Sequence, residues 1–419
     1  MKAKRVVILG GGFGGVAVAR ALKRADAEVL IIDRRNHHIF QPLLYQVATA
    51  VLAPSEVAAP LRQLAQQQPN LSVLLGEVTD IELDARRVKV CSPGLPITDI
   101  EFDYLVVATG VRPTYFGHDE FAQFAPSLKT IADAEWIRAR ILGAYERAEH
   151  LDDEAARTRA LTFVLVGAGP TGVELAASIA QMAHITLRAN FRRINPADTK
   201  ILLIEGAERI LPTFGEALCS KAARHLRKLG VEMRTGVIVE RVDATGVWVA
   251  GQRIESDTVL WTAGVQASPL IGQLGVKTDR AGRAIVGSFL DIPGQPDVFV
   301  IGDAAAVVRN EHPLPGVAQV AIQEGVFVAR VLAARLAGRQ FVADFRYRDR
   351  GNMAVVGKNF AILQRGKLQT SGTLTWILWA FIHVMFLPQV QNRLRVQMQW
   401  LWSYVTGQRS SRLIPEPRH

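Results

Sequence analysis

One pattern occurs twice in this chain and limits what it can fold into. Residues 6–9 form a short apolar, β-branched run that meets Gly10, Gly12 and Gly15 in the spacing G-x-G-x-x-G. Residues 17–24 then read as helix and 28–32 as a second strand, ending at Asp33. The pattern returns with a strand over 161–166, Gly167, Gly169 and Gly172, a helix over 174–183 and a strand over 201–204 ending at Glu205. In this order the first glycine permits a tight turn, the second lets a pyrophosphate approach the backbone, and the third allows close helix packing. The helix start offers amide donors to phosphate, and the acid accepts bonds from ribose hydroxyls. The expected fold is α/β, with two Rossmann-like dinucleotide-binding modules. Two modules imply two dinucleotides.

The economical pairing is FAD in one module and NAD(H) in the other. Residues 102–110 (FDYLVVATG) form a strand running into Ala108, Thr109 and Gly110, and 259–264 (VLWTAG) reach Gly264 at the matching place in the second half. Residues 298–303 (VFVIGD) end at Gly302 and Asp303, where an aspartate can bond a flavin's ribityl chain. That strand follows the second module, so the FAD-binding domain is expected to be discontinuous, 1–112 with 283–340. A helical connector over 113–159, an NAD(H)-binding domain over 160–275 and a C-terminal region over 341–419 complete the expected organisation. The second module carries extra residues over 184–199, rich in Arg, Asn and Pro, which read as an inserted loop with a solvated face. A carboxylate at Glu205 suits a free 2′-hydroxyl and repels a 2′-phosphate, favouring NADH over NADPH; Arg209 nearby tempers that preference.

The chain has only two cysteines, Cys91 and Cys219, and no C-x-x-C pair. This removes the dithiol-reductase class and weakens any sulfide-oxidising reading; both thiols are expected as buried small hydrophobes. His37 and His38 lack companions at metal-ligand spacing, and no metal is expected.

The formal charge is +10, of which residues 341–419 carry +8, with two Lys and nine Arg against three Asp or Glu. Residues 375–387 (TWILWAFIHVMFL) are nearly all apolar, but thirteen residues fall short of the roughly 20 that a span needs. Leu394, Met398, Leu401 and Val405 follow at helical spacing, with Arg393 and Arg395 beside them. An amphipathic helical region anchored in the interface of an anionic membrane is expected. A nucleic-acid groove is not, because the basic residues interleave with an apolar stripe.

At these residues the chain closely resembles the type II NADH:quinone oxidoreductases, the single-chain, non-proton-pumping respiratory dehydrogenases. The stretches are GGGFGG at 10–15, HHIFQPLLYQVATA at 37–50, VGAGPTGVELA at 166–176, WTAGV at 261–265, IGDAA at 301–305, AQVAIQ at 318–323 and GKLQTSGTLTWILWAFIHVMFL at 366–387. The resemblance implies non-covalent FAD bound by Gly10, Gly12, Phe13, Gly14, Gly15, Asp33, Arg34, Ala108, Thr109, Gly110, Gly302 and Asp303. It adds Gln41, Tyr45 and Gln46 near the isoalloxazine, and Ala318 and Gln319 beside the flavin. NADH falls to Gly167, Gly169, Gly172, Glu205 and Gly264. Gln319 and Gln323 are implied as amide donors to a quinone carbonyl, Glu174 as a group ordering the stacked complex or relaying protons, and Lys367 as a cation by the quinone entrance. The family also implies a homodimer, peripheral on the cytoplasmic side of the cell inner membrane. The competing reading is a soluble NAD(P)H-dependent flavin reductase that passes electrons to a redox protein through its basic tail.

Overall fold

A computed structural model describes residues 3–309 and 312–414. Packing divides the chain into two compact units: Met1–His38, Ala59–Arg112 and Val265–Arg348 form the first, and Ile39–Ala58, Pro113–Gly264 and Asp349–His419 the second.

The first unit is built on a six-stranded sheet. Its order is Asp291–Ile292, Gln295–Val300, Tyr104–Val107, Lys4–Leu9, Ala27–Asp33 and Leu71–Leu75. All pairings except the Asp291–Ile292 edge are parallel, with Val6 opposite both Val29 and Tyr104. Side chains of a strand alternate between faces. Val6 and Ile8 therefore join the core made with the helices Phe13–Ala21 and Ala318–Leu336, while Val7 and Leu9 meet Ile81, Val88 and Val90 on the other face. The same alternation corrects one expectation. In the strand Arg87–Cys91, Val88 and Val90 point inward, so Cys91 is exposed; Cys219 alone is buried.

The second unit repeats the plan on a parallel sheet ordered Val231–Thr235, Lys200–Glu205, Thr162–Val166 and Thr258–Trp261. The helix Ile131–His150 belongs to this body. Ala134, Ile137, Ile141, Ala144, Tyr145 and Ala148 recur at helical spacing and are buried, and the Tyr145 ring lies 5.8 Å from that of Phe163 on the sheet. The segment 184–199 keeps an exposed face and docks through its other residues. Glu149 accepts backbone N–H bonds from Arg192, Arg193 and Ile194, and Phe191 stacks on Tyr145 at 6.0 Å. Residues 39–58 group here because the short helix Leu44–Ala48 packs on Ile131–His150 and Pro170–Gln181.

The C-terminal part of the second unit is an antiparallel sheet, Asn352–Val355, Ala361–Arg365 and Leu368–Gly372, followed by the helices Thr373–Phe386 and Val390–Thr406. At 14 residues the first of these is about 21 Å long, short of a bilayer's roughly 30 Å core. Among the described residues no helix is long and apolar enough to cross a membrane.

Candidate active site

The two glycine turns are copies of one another. Gly10 has φ +107° and Gly167 φ +99°, a region open to glycine at little cost. A Cβ at Gly15 would lie 1.9 Å from Gly10 O, and one at Gly172 would lie 1.9 Å from Gly167 O. Each helix begins directly after the second glycine, with Gly12 and Gly169 as N-caps, several residues before the apolar runs that suggested helix. The acids are copied too. Asp33 accepts the Gly11 amide at 2.6 Å and the Arg35 amide at 2.8 Å. Glu205 accepts the Ala168 amide at 2.6 Å and the Ala207 amide at 2.9 Å. Each carboxylate thus braces its turn, and each oxygen keeps a lone pair for a ribose hydroxyl.

Both turns fit a bound dinucleotide. A Cβ at Gly12 or Gly169 would meet nothing within 4 Å, so open space lies over the glycine that must admit pyrophosphate. In the first unit the buried Thr109 hydroxyl has no protein partner, as expected of a group reserved for a ligand. Gly302, at φ +70°, turns the chain into Asp303, and Gly316 lies so close that a Cβ there would be 3.2 Å from Asp303 Oδ1. Glu324, 1% exposed, accepts the Gly302 amide at 2.5 Å. Burial pushes its carboxyl up to about 8. Phe13 meets His38 edge to face at 5.0 Å, and His38 Nδ1 lies 2.9 Å from Gly11 O, which backs the turn with rigid packing.

Ala318 opens the helix Ala318–Leu336, and Gln319 and Gln323 follow on it four residues apart. The Gln323 amide is engaged at both ends: Nε2 donates to Arg348 O at 3.1 Å and Oε1 accepts the Arg348 amide at 3.0 Å. One amide hydrogen is left over. Arg34 is exposed and 3.9 Å from Glu77.

In the second unit, Glu174 lies in the second turn of the glycine helix Pro170–Gln181. It is partly open along its surface, yet its carboxyl sits deep in the unit. Depth governs its ionisation: burial raises it to about 8, against the Val355 amide, which donates to it at 3.4 Å. Tyr45 and Gln46 are buried on the helix Leu44–Ala48, and Gln46 Nε2 donates to the Tyr45 hydroxyl at 3.0 Å. Gln41 is exposed at the start of the turn Gln41–Leu43. Gly264 approaches Phe116, leaving no room for a side chain.

Residues 4–325 match the pyridine nucleotide-disulphide oxidoreductase family. Over 424 residues the chain is 42% identical to the type II NADH:quinone oxidoreductase Ndh of Mycobacterium tuberculosis, covering 98% of this chain and 90% of that protein. It is 42% identical to NdhA of the same organism, over 98% and 89%. This chain belongs to the type II NADH:quinone oxidoreductases. The structure of NDH2 from Plasmodium falciparum in complex with NADH shares the fold at TM-score 0.90 and 18% identity, over 99% of this chain and 100% of that one. The protein is accordingly a flavoprotein enzyme that transfers electrons from NADH to quinone.

In this NADH:quinone oxidoreductase Lys367 and Glu174 meet different parts of the C-terminal sheet. Lys367 stands exposed in the Gly366–Lys367 turn of a hairpin, whereas the Val355 amide that bonds Glu174 pairs at the far end of the same strand, opposite Ala361. The five-residue strand Ala361–Arg365 puts about 13 Å between its two ends. Three residues escaped the sequence reading. Glu324 follows Gln323 directly, but one residue of helix turns about 100° to another face. Trp400 lies beside the apolar stripe in sequence, and its indole N–H donates to Gln46 Oε1 at 2.6 Å. Arg409 had no signal beyond basic charge, and it is buried against Thr49 O and Ser178 O.

Proposed function

We propose that the flavin of this enzyme is FAD, bound non-covalently by the first unit, and that NADH binds the glycine turn of the second. The observation that carries this reading is the duplicated turn braced by Asp33 in one unit and Glu205 in the other. On it we assign the FAD-binding domain to 1–112 with 283–340, the NADH-binding domain to 160–275, and 113–159 to a connector that packs with the latter.

A flavin held there would supply hydride acceptance from NADH and two-electron delivery to quinone. The remaining chemistry falls to the protein. The amides after Gly12 and Gly169 receive the two pyrophosphates, and Thr109 and Asp303 bond the flavin chain. Glu205 accepts the adenosine ribose hydroxyls and repels a 2′-phosphate. Gln319, with the remaining amide hydrogen of Gln323, donates to a quinone carbonyl. Glu174, largely protonated near neutrality, holds a proton for the overall balance in which NADH, a proton and quinone give NAD⁺ and quinol.

The quinone's own solvent supports a lipid-surface location. Leu394, Met398, Leu401 and Val405 face outward and exposed, while Val396 and Asn392 of the same helix face inward. The stripe is therefore turned away from the body, with Arg393 and Arg395 beside it to meet anionic headgroups and Lys367 exposed on the preceding hairpin. We place this surface on the cytoplasmic face of the inner membrane, where NADH is dissolved, and retain the homodimer as its assembly.

Heat release and chromatography of the yellow chromophore identify the flavin. Anaerobic stopped-flow with NADH, NADPH and a short-chain quinone follows both half-reactions. Co-sedimentation with phosphatidylglycerol vesicles, for the wild type and a Met398→Glu/Leu401→Glu variant, reads attachment. FAD that NADH bleaches and quinone restores, with vesicle binding lost in the variant, is the expected result. A different chromophore, or reduced flavin that quinone leaves bleached, defeats the reading. Light scattering without lipid reads the dimer.

A further inference from the structure

The last helix, Val390–Thr406, presents two faces. Its outer stripe is exposed. On its inner face Asn392, Val396 and Trp400 recur every four residues. Asn392 Nδ2 donates to Ala58 O at 2.9 Å, Val396 is fully buried, and Trp400 Nε1 donates to Gln46 Oε1 at 2.6 Å. The Trp400 ring is held in turn by stacking on Trp379 at 5.4 Å.

An indole nitrogen can only donate, and this sets the polarity of everything beyond it. The Gln46 carbonyl oxygen must face Trp400, so its amide nitrogen faces Tyr45 and donates to the phenol oxygen. With its oxygen used as acceptor, the phenol's own hydrogen is directed away from Gln46. That hydroxyl lies within electrostatic reach of the Glu174 carboxyl. The tail beyond the helix grips the same element. Arg409 donates to Thr49 O at 2.7 Å and to Ser178 O at 2.9 Å, and Thr49 is the C-cap of the helix carrying Tyr45. A cation there complements the carbonyl end of the helix.

We propose that Trp400 is a positioning residue: through Gln46 it sets the direction in which the Tyr45 hydroxyl donates, and it thereby couples the seating of the lipid-facing helix to the reoxidation of reduced flavin by quinone. The inference rests on the function proposed above for its quinone step. A lipid surface beneath the outer stripe bears on the helix whose inner face holds the donor chain, so attachment stabilises the Trp400–Gln46 bond.

The test uses full-length, flavin-loaded protein with and without phosphatidylglycerol–phosphatidylcholine vesicles. Trp400→Phe keeps a ring to stack on Trp379 and removes the donor. Gln46→Glu keeps an acceptor for Trp400 but turns an acceptor toward Tyr45, reversing the phenol. In both variants reoxidation by a short-chain quinone slows about tenfold, the scale of one lost buried hydrogen bond. In Trp400→Phe, flavin reduction by NADH and vesicle binding stay at wild-type levels. Hydrogen exchange of amides 44–50 accelerates, and vesicles no longer speed reoxidation. Wild-type reoxidation in both variants overturns the proposal. So does equal slowing of both half-reactions in Trp400→Phe, which reports general loosening. If quinone fails to reoxidise the wild type, the functional reading fails by itself, and unchanged exchange over 44–50 in Trp400→Phe overturns the positioning role separately. The two variants act on opposite ends of the chain, so poor folding of one leaves the other decisive.

Discussion

The Glu324 carboxyl accepts a hydrogen bond from the Gly302 amide at 2.5 Å, joining the helix Ala318–Leu336 to the turn that presents Asp303. A buried donor left without its acceptor costs about 1–3 kcal/mol. Glu324→Leu is therefore expected to lower stability by that amount and to weaken flavin retention. Glu324→Gln keeps an oxygen for Gly302 and is tolerated. Thermal unfolding and the flavin absorbance retained after gel filtration check both.

The same carboxyl and Glu174 give stability a pH dependence. Burial raises each from an ordinary 4.5 to about 8; Gly302 opposes and Asp303 reinforces the shift at Glu324, and Val355 opposes it at Glu174. Folding thus favours the protonated form. The stability contributed is full below about 4.5 and is lost as pH rises through about 8. Across that window the unfolding free energy falls with a limiting slope of about 1.4 kcal/mol per pH unit for each group. Urea titrations at a series of pH values read the slope, and Glu324→Gln reduces it.

The glycines divide by what surrounds them. Gly172→Ala places a methyl 1.9 Å from Gly167 O and is expected to disrupt the second turn, with loss of folded protein. Gly169→Ala meets only open space, so the protein folds with its usual melting temperature but loses NADH affinity, because the methyl occupies the pyrophosphate's approach. Melting curves and NADH titration of flavin bleaching separate the two outcomes.

Glu205 braces its turn and faces the ribose at once. Glu205→Gln keeps one acceptor oxygen for the Ala168 or the Ala207 amide, gives up the other, and removes the charge that repels a 2′-phosphate. The preference for NADH over NADPH is expected to fall by about tenfold, equivalent to about 1.4 kcal/mol of lost repulsion. The ratio of kcat/KM for the two nucleotides measures it. A ratio unchanged by the substitution places the discrimination elsewhere.

Arg409 is 7% exposed, and burial lowers its guanidinium to about 10, still protonated at neutral pH. Arg409→Leu removes the side-chain donor from Thr49 O and one of two donors from Ser178 O, which keeps the Met182 amide, at a cost of roughly 1–3 kcal/mol for the Thr49 carbonyl. Limited proteolysis of the tail and thermal unfolding are expected to show its early release.

The sequence by itself determined the two parallel sheets, their glycine turns and the acids at the ends of their second strands. Those features depend on neighbours a few residues apart: β-branched runs, positive φ at Gly10 and Gly167, and a helix following each glycine turn. It also determined that the C-terminal helices carry an apolar stripe, because period 3.6 is visible in a string. Which way the stripe faces was decided by tertiary structure, since Val396 and Asn392 had to find an inner wall before Leu394 and Met398 could be left outside. The same holds for the helix Ile131–His150, whose charged residues concealed the stripe that buries it. The joins of Trp400 to Gln46, Arg409 to Thr49 and Glu324 to Gly302 were likewise settled only in three dimensions. A hydrogen bond forms between groups that the path of the chain brings within 3 Å, and nothing local to residues 354 or 360 positions apart records that meeting.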